Sequence, residues 1–208
     1  MFDLTLSALT ATALFALATS ITPGPNNTML LASGVNFGFR RTLPHLLGVS
    51  GGLLMILLLA SAGLQQWVAA HPQWHEAMKW LGSGYLLYLA WRVATSHSGA
   101  AAHASTESPA QAPRPLGFWG AAAFQWVNPK VWVMVLGFFS AYVPAGAGVA
   151  GVVLLCVLFS AVNLPCVGAW ALLGDRLSRW LTEGQRRLWF NRGMGALLAL
   201  SVWGAWVG

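Results

Sequence analysis

The chain has 208 residues, of which 57% are apolar and only 8% are Asp, Glu, Lys or Arg. Soluble domains usually carry about 25% charged residues, so this chain lacks the charge to cover a water-exposed surface. Most soluble enzymes are therefore excluded. The mean hydropathy of +0.62 indicates lipid as the solvent, and six helical spans of about 20 residues each would fit the length.

The net charge of +6 does not indicate nucleic acid, because the bases form short clusters beside apolar runs rather than an extended basic face. The expected partner is the lipid bilayer, and no nucleic-acid partner is predicted.

Cys156 and Cys166 share one apolar run, where their spacing places them on different sides of a helix. We expect two buried small hydrophobic residues, with no disulfide and no metal pair.

Six continuously apolar stretches predict an all-α integral membrane protein, since none shows the alternation of a barrel strand. The first could be mistaken for a signal peptide, but nothing basic precedes it and the only early charge is Asp3. We therefore expect it to be retained as a span. The stretches cover roughly residues 4–37, 46–68, 77–94, 118–143, 148–173 and 188–207.

The basic residues predict the orientation of these spans. Links after the first, third and fifth spans hold most of the bases, whereas the other side has only Lys79. The positive-inside rule places the basic links in the cytoplasm and both termini on the outer side of the membrane. The basic-link residues are Arg40, Arg41, Arg92, Arg114, Arg176, Arg179, Arg186, Arg187 and Arg192.

A polar segment divides the chain into two halves of three spans. Residues 96–115 contain Ser, Thr, Ala, Gly and Pro and predict a flexible cytoplasmic linker between units 1–95 and 116–208. His97 and His103 lie in it without Cys or a carboxylate cluster, so no metal site is predicted. Three spans per half force opposite membrane orientations, which is the arrangement of inverted-repeat transporters.

The first half contains a predicted helix break at Thr22-Pro23-Gly24-Pro25-Asn26-Asn27. Two prolines around a glycine remove backbone donors and interrupt a helix. Within a bilayer, the freed carbonyls need protein or a water-filled cavity. Pro25 suits the first position of a new half-helix, whose exposed amides attract anions. Residues 26–37 give ~18 Å of helix, about half of a ~30 Å hydrocarbon core.

The second half contains a corresponding break at Gln125-Trp126-Val127-Asn128-Pro129-Lys130. Residues 128–143 give ~24 Å of helix, so both breaks are expected at similar depth. Lys130 would be a cation inside the bilayer, which costs at least ~2.5 kcal/mol and requires a partner. Two interpretations stay open: Lys130 snorkels or caps carbonyls released by Pro129, or it binds a substrate carboxylate.

Three further features have both structural and functional interpretations. Asn163-Leu164-Pro165 predicts a third interruption, where Asn163 lines the path or the kink is satisfied by neighbouring helices. Tyr85 and Tyr88 are candidate cavity residues. The glycines of the second, third and sixth spans suit close helix packing. They are Gly48, Gly51, Gly52, Gly82 and Gly193.

No enzyme is predicted. Gly48-Val49-Ser50-Gly51 matches the GxSG of rhomboid-type intramembrane proteases, but those need a histidine base on another helix. The only nearby candidate, His45, is on the same span and faces the wrong side. A thiol oxidoreductase is also unsupported, because the two cysteines form no CxxC.

The two proline-containing breaks and the glycine motifs of the spans resemble those of the LysE/RhtB family of bacterial amino-acid exporters, along essentially the whole chain. The resemblance implies a bacterial inner-membrane protein, with both outer termini in the periplasm, that exports small amino acids from cytoplasm to periplasm. Export would be driven by the proton-motive force, without a cofactor. It is nearest to the cysteine and O-acetylserine branch, which does not always have proline at the position of Pro129. The matching residues are Thr22-Pro23-Gly24-Pro25-Asn26, Gly38-Phe39-Arg40, Gly48, Leu81-Gly82-Ser83-Gly84-Tyr85-Leu86, Tyr88-Leu89-Ala90-Trp91, Asn128-Pro129-Lys130, Gly174, Arg176 and Gly193.

The predicted substrate site forms where the two breaks face each other across a pseudo-twofold axis. Half-helix amides and Lys130 would bind the carboxylate, while Asn128 and Asn163 would help to bind the amino group. A homodimer is compatible with so small a transporter. The alternatives are a passive channel and a non-transporting membrane scaffold. The predicted site residues are Pro23, Gly24, Pro25, Asn26, Asn27, Thr28, Tyr85, Asn128, Pro129, Lys130 and Asn163.

Overall fold

The computed structural model describes residues 5–96, 114–144, 146–181 and 184–207, and these ranges contain helices but no strand. Most of the predicted linker, with His97 and His103, lies outside the described residues. The segment Ala60–Leu64 joins α3 to α4 across a kink at Gly63, whose φ of 107° is not helical. The helices are α1 (Leu6–Ile21), α2 (Pro25–Phe37), α3 (Phe39–Leu59), α4 (Gln65–Ala70), α5 (Pro72–Ala94), α6 (Phe118–Val127), α7 (Pro129–Ala141), α8 (Gly148–Ser178) and α9 (Gly184–Val207).

Both predicted helix breaks are confirmed. The axes of α1 and α2 differ by 58°, and Pro25 is the first residue of α2. In the second half, Asn128 alone separates α6 from α7, and Pro129 is the first residue of α7. Proline is favourable at this position because its missing N–H would have no partner within the helix. The two breaks therefore follow directly from the local sequence.

Length and hydropathy identify fewer membrane spans than the sequence patterns predict. Among the described residues, Phe39–Leu64 and Gly148–Ser178 are long and apolar enough to cross a bilayer, with mean hydropathies of 2.1 and 2.3. The bent pair α1–α2 qualifies if it counts as one span, while α7 is a shorter apolar helix. The six-span inverted repeat therefore stays a prediction.

A break of the helix at Asn163-Leu164-Pro165 is wrong, because α8 runs continuously through Pro165, whereas the alternative of a kink satisfied by neighbouring helices stays a prediction. Proline removes one hydrogen bond from a helix, and neighbouring segments can compensate for that loss in a membrane helix. Pro44 lies inside α3 in the same way. The helix α3 begins at Phe39, before the apolar run that starts at residue 46. Its first two turns therefore contain polar and basic residues.

Glycines set the closest helix contacts. A Cβ atom on Gly34 of α2 would lie 3.1 Å from the Cα of Gly174 in α8, and one on Gly52 of α3 would lie 2.8 Å from the Cα of Ala122 in α6. The packing roles predicted for Gly48, Gly52 and Gly82 are confirmed, since each faces backbone atoms of another helix.

The packing prediction is wrong at one glycine of α9. A Cβ atom on Gly193 would have nothing within 4 Å, whereas a Cβ atom on Gly195 would lie 2.6 Å from the carbonyl oxygen of Ala90 in α5. The contact is therefore displaced by about half a helical turn.

The predicted burial of Cys156 and Cys166 is confirmed, and both thiols are free.

Candidate functional site

Side chains satisfy the carbonyl groups that the first break releases. The Asn27 amide nitrogen donates to the carbonyl oxygens of Ser20 and Thr22, both at 2.8 Å. The indole of Trp170 on α8 donates to Ile21 at 3.2 Å. An unpaired carbonyl inside a bilayer costs several kcal/mol. The polar residues around the break therefore have a structural role in holding α1 and α2 at their angle.

Lys130 connects the second break to the first. Its Nζ donates to the carbonyl oxygen and hydroxyl of Thr22, at 2.7 and 2.9 Å, and to the carbonyl oxygen of Pro23 at 3.2 Å. These contacts use all three donors of an ammonium group. One sequence interpretation was that Lys130 caps carbonyl groups released by Pro129. Lys130 does bind carbonyl groups, but they belong to Thr22 and Pro23 at the first break.

Gly24 allows this approach of the lysine chain. A Cβ atom on Gly24 would lie 2.7 Å from Cδ and 3.1 Å from Nζ of Lys130. Any larger residue would push the ammonium group away from Thr22 and Pro23. The small size of Gly24 is therefore favoured by a contact from the other half of the chain, and its extended backbone (φ 178°) does not itself require glycine.

Asn128 leaves one donor unused at the second break. Its Oδ1 accepts from the backbone N–H of Lys130 at 3.1 Å and caps α7. The side chain is 1% exposed, and its Nδ2 has no hydrogen-bond partner among the described residues. Burying an unpaired amide donor costs about 1–3 kcal/mol. Asn128 lines a cavity to which residues of both breaks contribute.

The cavity brings together most of the predicted site. Its volume is about 20 Å³, and one water molecule needs ~10–15 Å³ on the same measure. The cavity is thus too small for an amino acid in this conformation, and binding there requires the two breaks to separate. Its lining residues are Thr19, Ser20, Gly24, Asn26, Asn27, Val49, Leu53, Gln125, Asn128, Lys130, Val131, Met134, Asn163 and Val167.

A second contact joins the two halves beside this cavity. Asn26 Nδ2 donates to Gln125 Oε1 at 2.7 Å, and Gln125 Nε2 donates back to Asn26 Oδ1 at 3.2 Å. Gln125 is fully buried and also donates to the carbonyl oxygen of Ala121. No functional role was predicted for Gln125 from the sequence. The feature that could have indicated one is a polar glutamine inside an apolar run.

Both polar atoms of the Asn163 side chain have hydrogen-bond partners on neighbouring helices. Its Oδ1 accepts from the hydroxyl of Ser50 at 3.0 Å, and its Nδ2 donates to Ser20 Oγ at 3.0 Å. Ser160 donates to the carbonyl oxygen of Ser50 at 3.1 Å. Ser50 therefore bonds to an asparagine rather than to His45, so the GxSG match forms no serine–histidine pair.

The remaining predicted site residues do not line the cavity. The backbone N–H of Thr28 donates to the carbonyl oxygen of Gly24 at 2.9 Å, and its side chain is buried in α2 away from the cavity lining. Tyr85 lies outside the cavity and packs its ring 5.6 Å from Phe124 and 6.1 Å from Tyr88. Pro25 and Pro129 shape the helix starts.

Comparison with known proteins decides the family. The family model described as LysE type translocator matches residues 17–201, which include both breaks. The chain belongs to the LysE-type translocator family. It is 30% identical over 175 residues to the cysteine/O-acetylserine efflux protein of Escherichia coli K12 and of Shigella sonnei Ss046, covering 84% of this chain and 86% of each relative. No solved structure matches the chain.

Family membership makes this LysE-type translocator a transporter rather than an enzyme. Its apolar helices and its relatives identify it as a multi-pass membrane protein of the amino-acid efflux class. The resemblance stated from the sequence motifs is thereby confirmed.

Proposed function

We propose that this translocator exports small neutral amino acids, such as cysteine or O-acetylserine, from the cytoplasm to the periplasm. In this proposal the chain crosses the inner membrane six times as two inverted repeats, with both termini in the periplasm, and the proton-motive force drives transport. The name of the relatives, cysteine/O-acetylserine efflux protein, supports the substrate class. The distribution of bases supports the orientation.

The main support for this proposal is that the side chain of Lys130 extends from the second helix break and binds the first. Its three acceptors are neutral oxygens of Thr22 and Pro23, and a substrate carboxylate would be a stronger acceptor for the same ammonium group. The unpaired Nδ2 of Asn128 supplies a further donor at the same cavity. Separation of the breaks would exchange backbone contacts for contacts to the amino acid.

The half-helix of α2 adds to this carboxylate site. The amides of Asn26 and Asn27 lie in its first turn, where helix geometry provides no acceptor within the helix, and the positive end of the helix dipole favours an anion. The amide of Thr28 is already bonded to Gly24. We therefore assign the carboxylate to Asn26, Asn27, Asn128 and Lys130.

Efflux from cells loaded with radiolabelled O-acetylserine tests both function and site. We expect Lys130→Met to lower the initial efflux rate roughly 10- to 100-fold, because a hydrogen bond to a charged group is worth about 1.5–3 kcal/mol. The matched control is Lys79→Met, since Lys79 contacts the Trp206 ring at 4.4 Å and does not line the cavity. Membrane abundance of each variant is measured by immunoblotting.

The outcomes separate the alternatives. Efflux that continues at the same rate after a protonophore collapses the proton gradient would identify a passive channel. Efflux no greater than in cells lacking the protein, for every amino acid offered, would favour a scaffold. If Lys130→Met transports as fast as Lys79→Met, the protein remains an exporter but the site is elsewhere.

A further inference from the structure

A second cavity lies between α2, α3, α5 and the segment 114–116 before α6. Its volume is about 70 Å³, more than three times that of the cavity at the helix breaks. The two share no lining residue. It opens near the ends of α2 and α5, on the side that the bases assign to the cytoplasm. Its lining residues are Met29, Ala32, Ser33, Asn36, Phe37, His45, Leu89, Arg92, Val93, Ser96, Arg114, Pro115 and Leu116.

His45 is an unsatisfied polar group on the wall of this cavity. Its side chain is 2% exposed, and neither Nδ1 nor Nε2 has a hydrogen-bond partner among the described residues. The nearby hydroxyls of Ser33 and Thr42 bond to each other at 2.9 Å, so they do not serve the imidazole. An imidazole always carries at least one N–H donor. A buried polar group without a partner calls for an explanation, and a ligand that accepts a hydrogen bond from the imidazole would provide one.

The charges around His45 select an anionic group. Arg92 and Arg114 both line the cavity, and its described lining contains no Asp or Glu. Arginine binds carboxylates well because its planar fork can donate two parallel hydrogen bonds. The guanidinium of Arg92 and a buried imidazole make a chemically suitable site for a carboxylate.

A hydrogen-bond network holds part of the cavity wall in place. Asn36 and Asn191 bond to each other through both amides, at 2.9 and 3.1 Å, and Asn191 also donates to the carbonyl oxygen of Ser96 at 2.8 Å. Asn191 is fully buried. The network joins α2, α9 and the end of α5. Asn36 and Ser96 are thus fixed before any ligand arrives, which lowers the entropic cost of binding.

We propose that this cavity is a loading site that binds the carboxylate of the amino acid on the cytoplasmic side, before the amino acid reaches the cavity at the helix breaks. Arg92 and His45 donate to the carboxylate. The volume suits the α-amino-acid head group, since it corresponds to roughly five to seven water-sized groups. This inference rests on the proposed export function for its direction, while the carboxylate chemistry rests on the cavity alone.

The first test uses inside-out membrane vesicles, in which the concentration of O-acetylserine at the cytoplasmic face is set directly. We expect His45→Phe to raise the half-saturating concentration about tenfold with a much smaller change in maximal rate. His45→Gln, which keeps a donor and an acceptor, should stay within about threefold of wild type. The control His71→Phe removes a histidine that does not line the cavity and should leave both parameters unchanged.

The second test measures binding without transport. Purified protein in detergent is titrated with O-acetyl-L-serine, and with its carboxamide analogue, while its melting temperature is followed. The carboxylate should stabilise wild type and Lys130→Met at similar concentrations, His45→Phe and Arg92→Gln should need about tenfold more of it for the same shift, and the carboxamide should stabilise none of them.

The results distinguish this inference from the proposed function. Stabilisation that depends on His45 in a protein that exports nothing would retain the loading site and reject export. Active export with an unchanged half-saturating concentration in His45→Phe, or wild-type protein that the carboxylate does not stabilise, would overturn the loading site.

Discussion

The contact between Gly34 and Gly174 makes a quantitative prediction about stability. A Cβ atom on Gly34 would lie 3.0 Å from the backbone nitrogen of Asp175 and 3.1 Å from the Cα of Gly174, and it would overlap the carbonyl oxygen of Ala171. Ordinary van der Waals contact begins at about 3.4 Å. All three obstacles are backbone atoms of α8, so Gly34→Ala must move one whole helix away from the other.

The cost follows from overpacking. Extra carbon atoms in a well-packed interior cost about 1–3 kcal/mol, because separated helices lose dispersion contacts along their whole interface. Alanine also favours a helix over glycine by up to about 1 kcal/mol. Gly84→Ala in α5 measures that gain by itself, since a Cβ there has nothing within 4 Å. The difference between the two variants thus isolates the packing term.

Thermal unfolding in detergent measures this difference. A fluorogenic maleimide reports unfolding, because Cys156 and Cys166 are the two cysteines of the chain and both are buried. One kcal/mol corresponds to roughly 2–4 °C for a protein of this size. Gly34→Ala should therefore unfold roughly 2–12 °C below Gly84→Ala. Equal melting temperatures would refute the close approach of α2 and α8.

Two further predictions concern the polar contacts and the thiols. Asn26→Leu and Gln125→Leu should each destabilise the protein, and their double-mutant cycle should give a coupling energy of about 0.6–1.7 kcal/mol; additive effects would contradict the reciprocal amide pair. A maleimide reagent should leave Cys156 and Cys166 unlabelled in folded protein and modify both in denaturant without a reductant. Rapid labelling of folded protein, or a need for reductant, would contradict their buried, unbonded state.

The local sequence was sufficient to predict where the helices break. Pro25 and Pro129 cannot supply a backbone donor and have a fixed φ, so each is favoured at the start of a helix and disfavoured within one. Composition likewise determined that the helices face lipid. The same local rule failed at Pro165, where α8 continues, because neighbouring helices can compensate for a missing hydrogen bond.

The partners of the polar residues depended on tertiary structure. Gln125 meets Asn26 across 99 positions, and Lys130 meets Thr22 across 108. No periodicity in the sequence encodes such pairs, since they depend on how α6 and α7 pack against α1 and α2. The sequence therefore predicted that Lys130 needs a partner, because a charge placed inside a membrane is costly. Only the packed structure decided that this partner is the opposite break, and that His45 is left with none among the described residues.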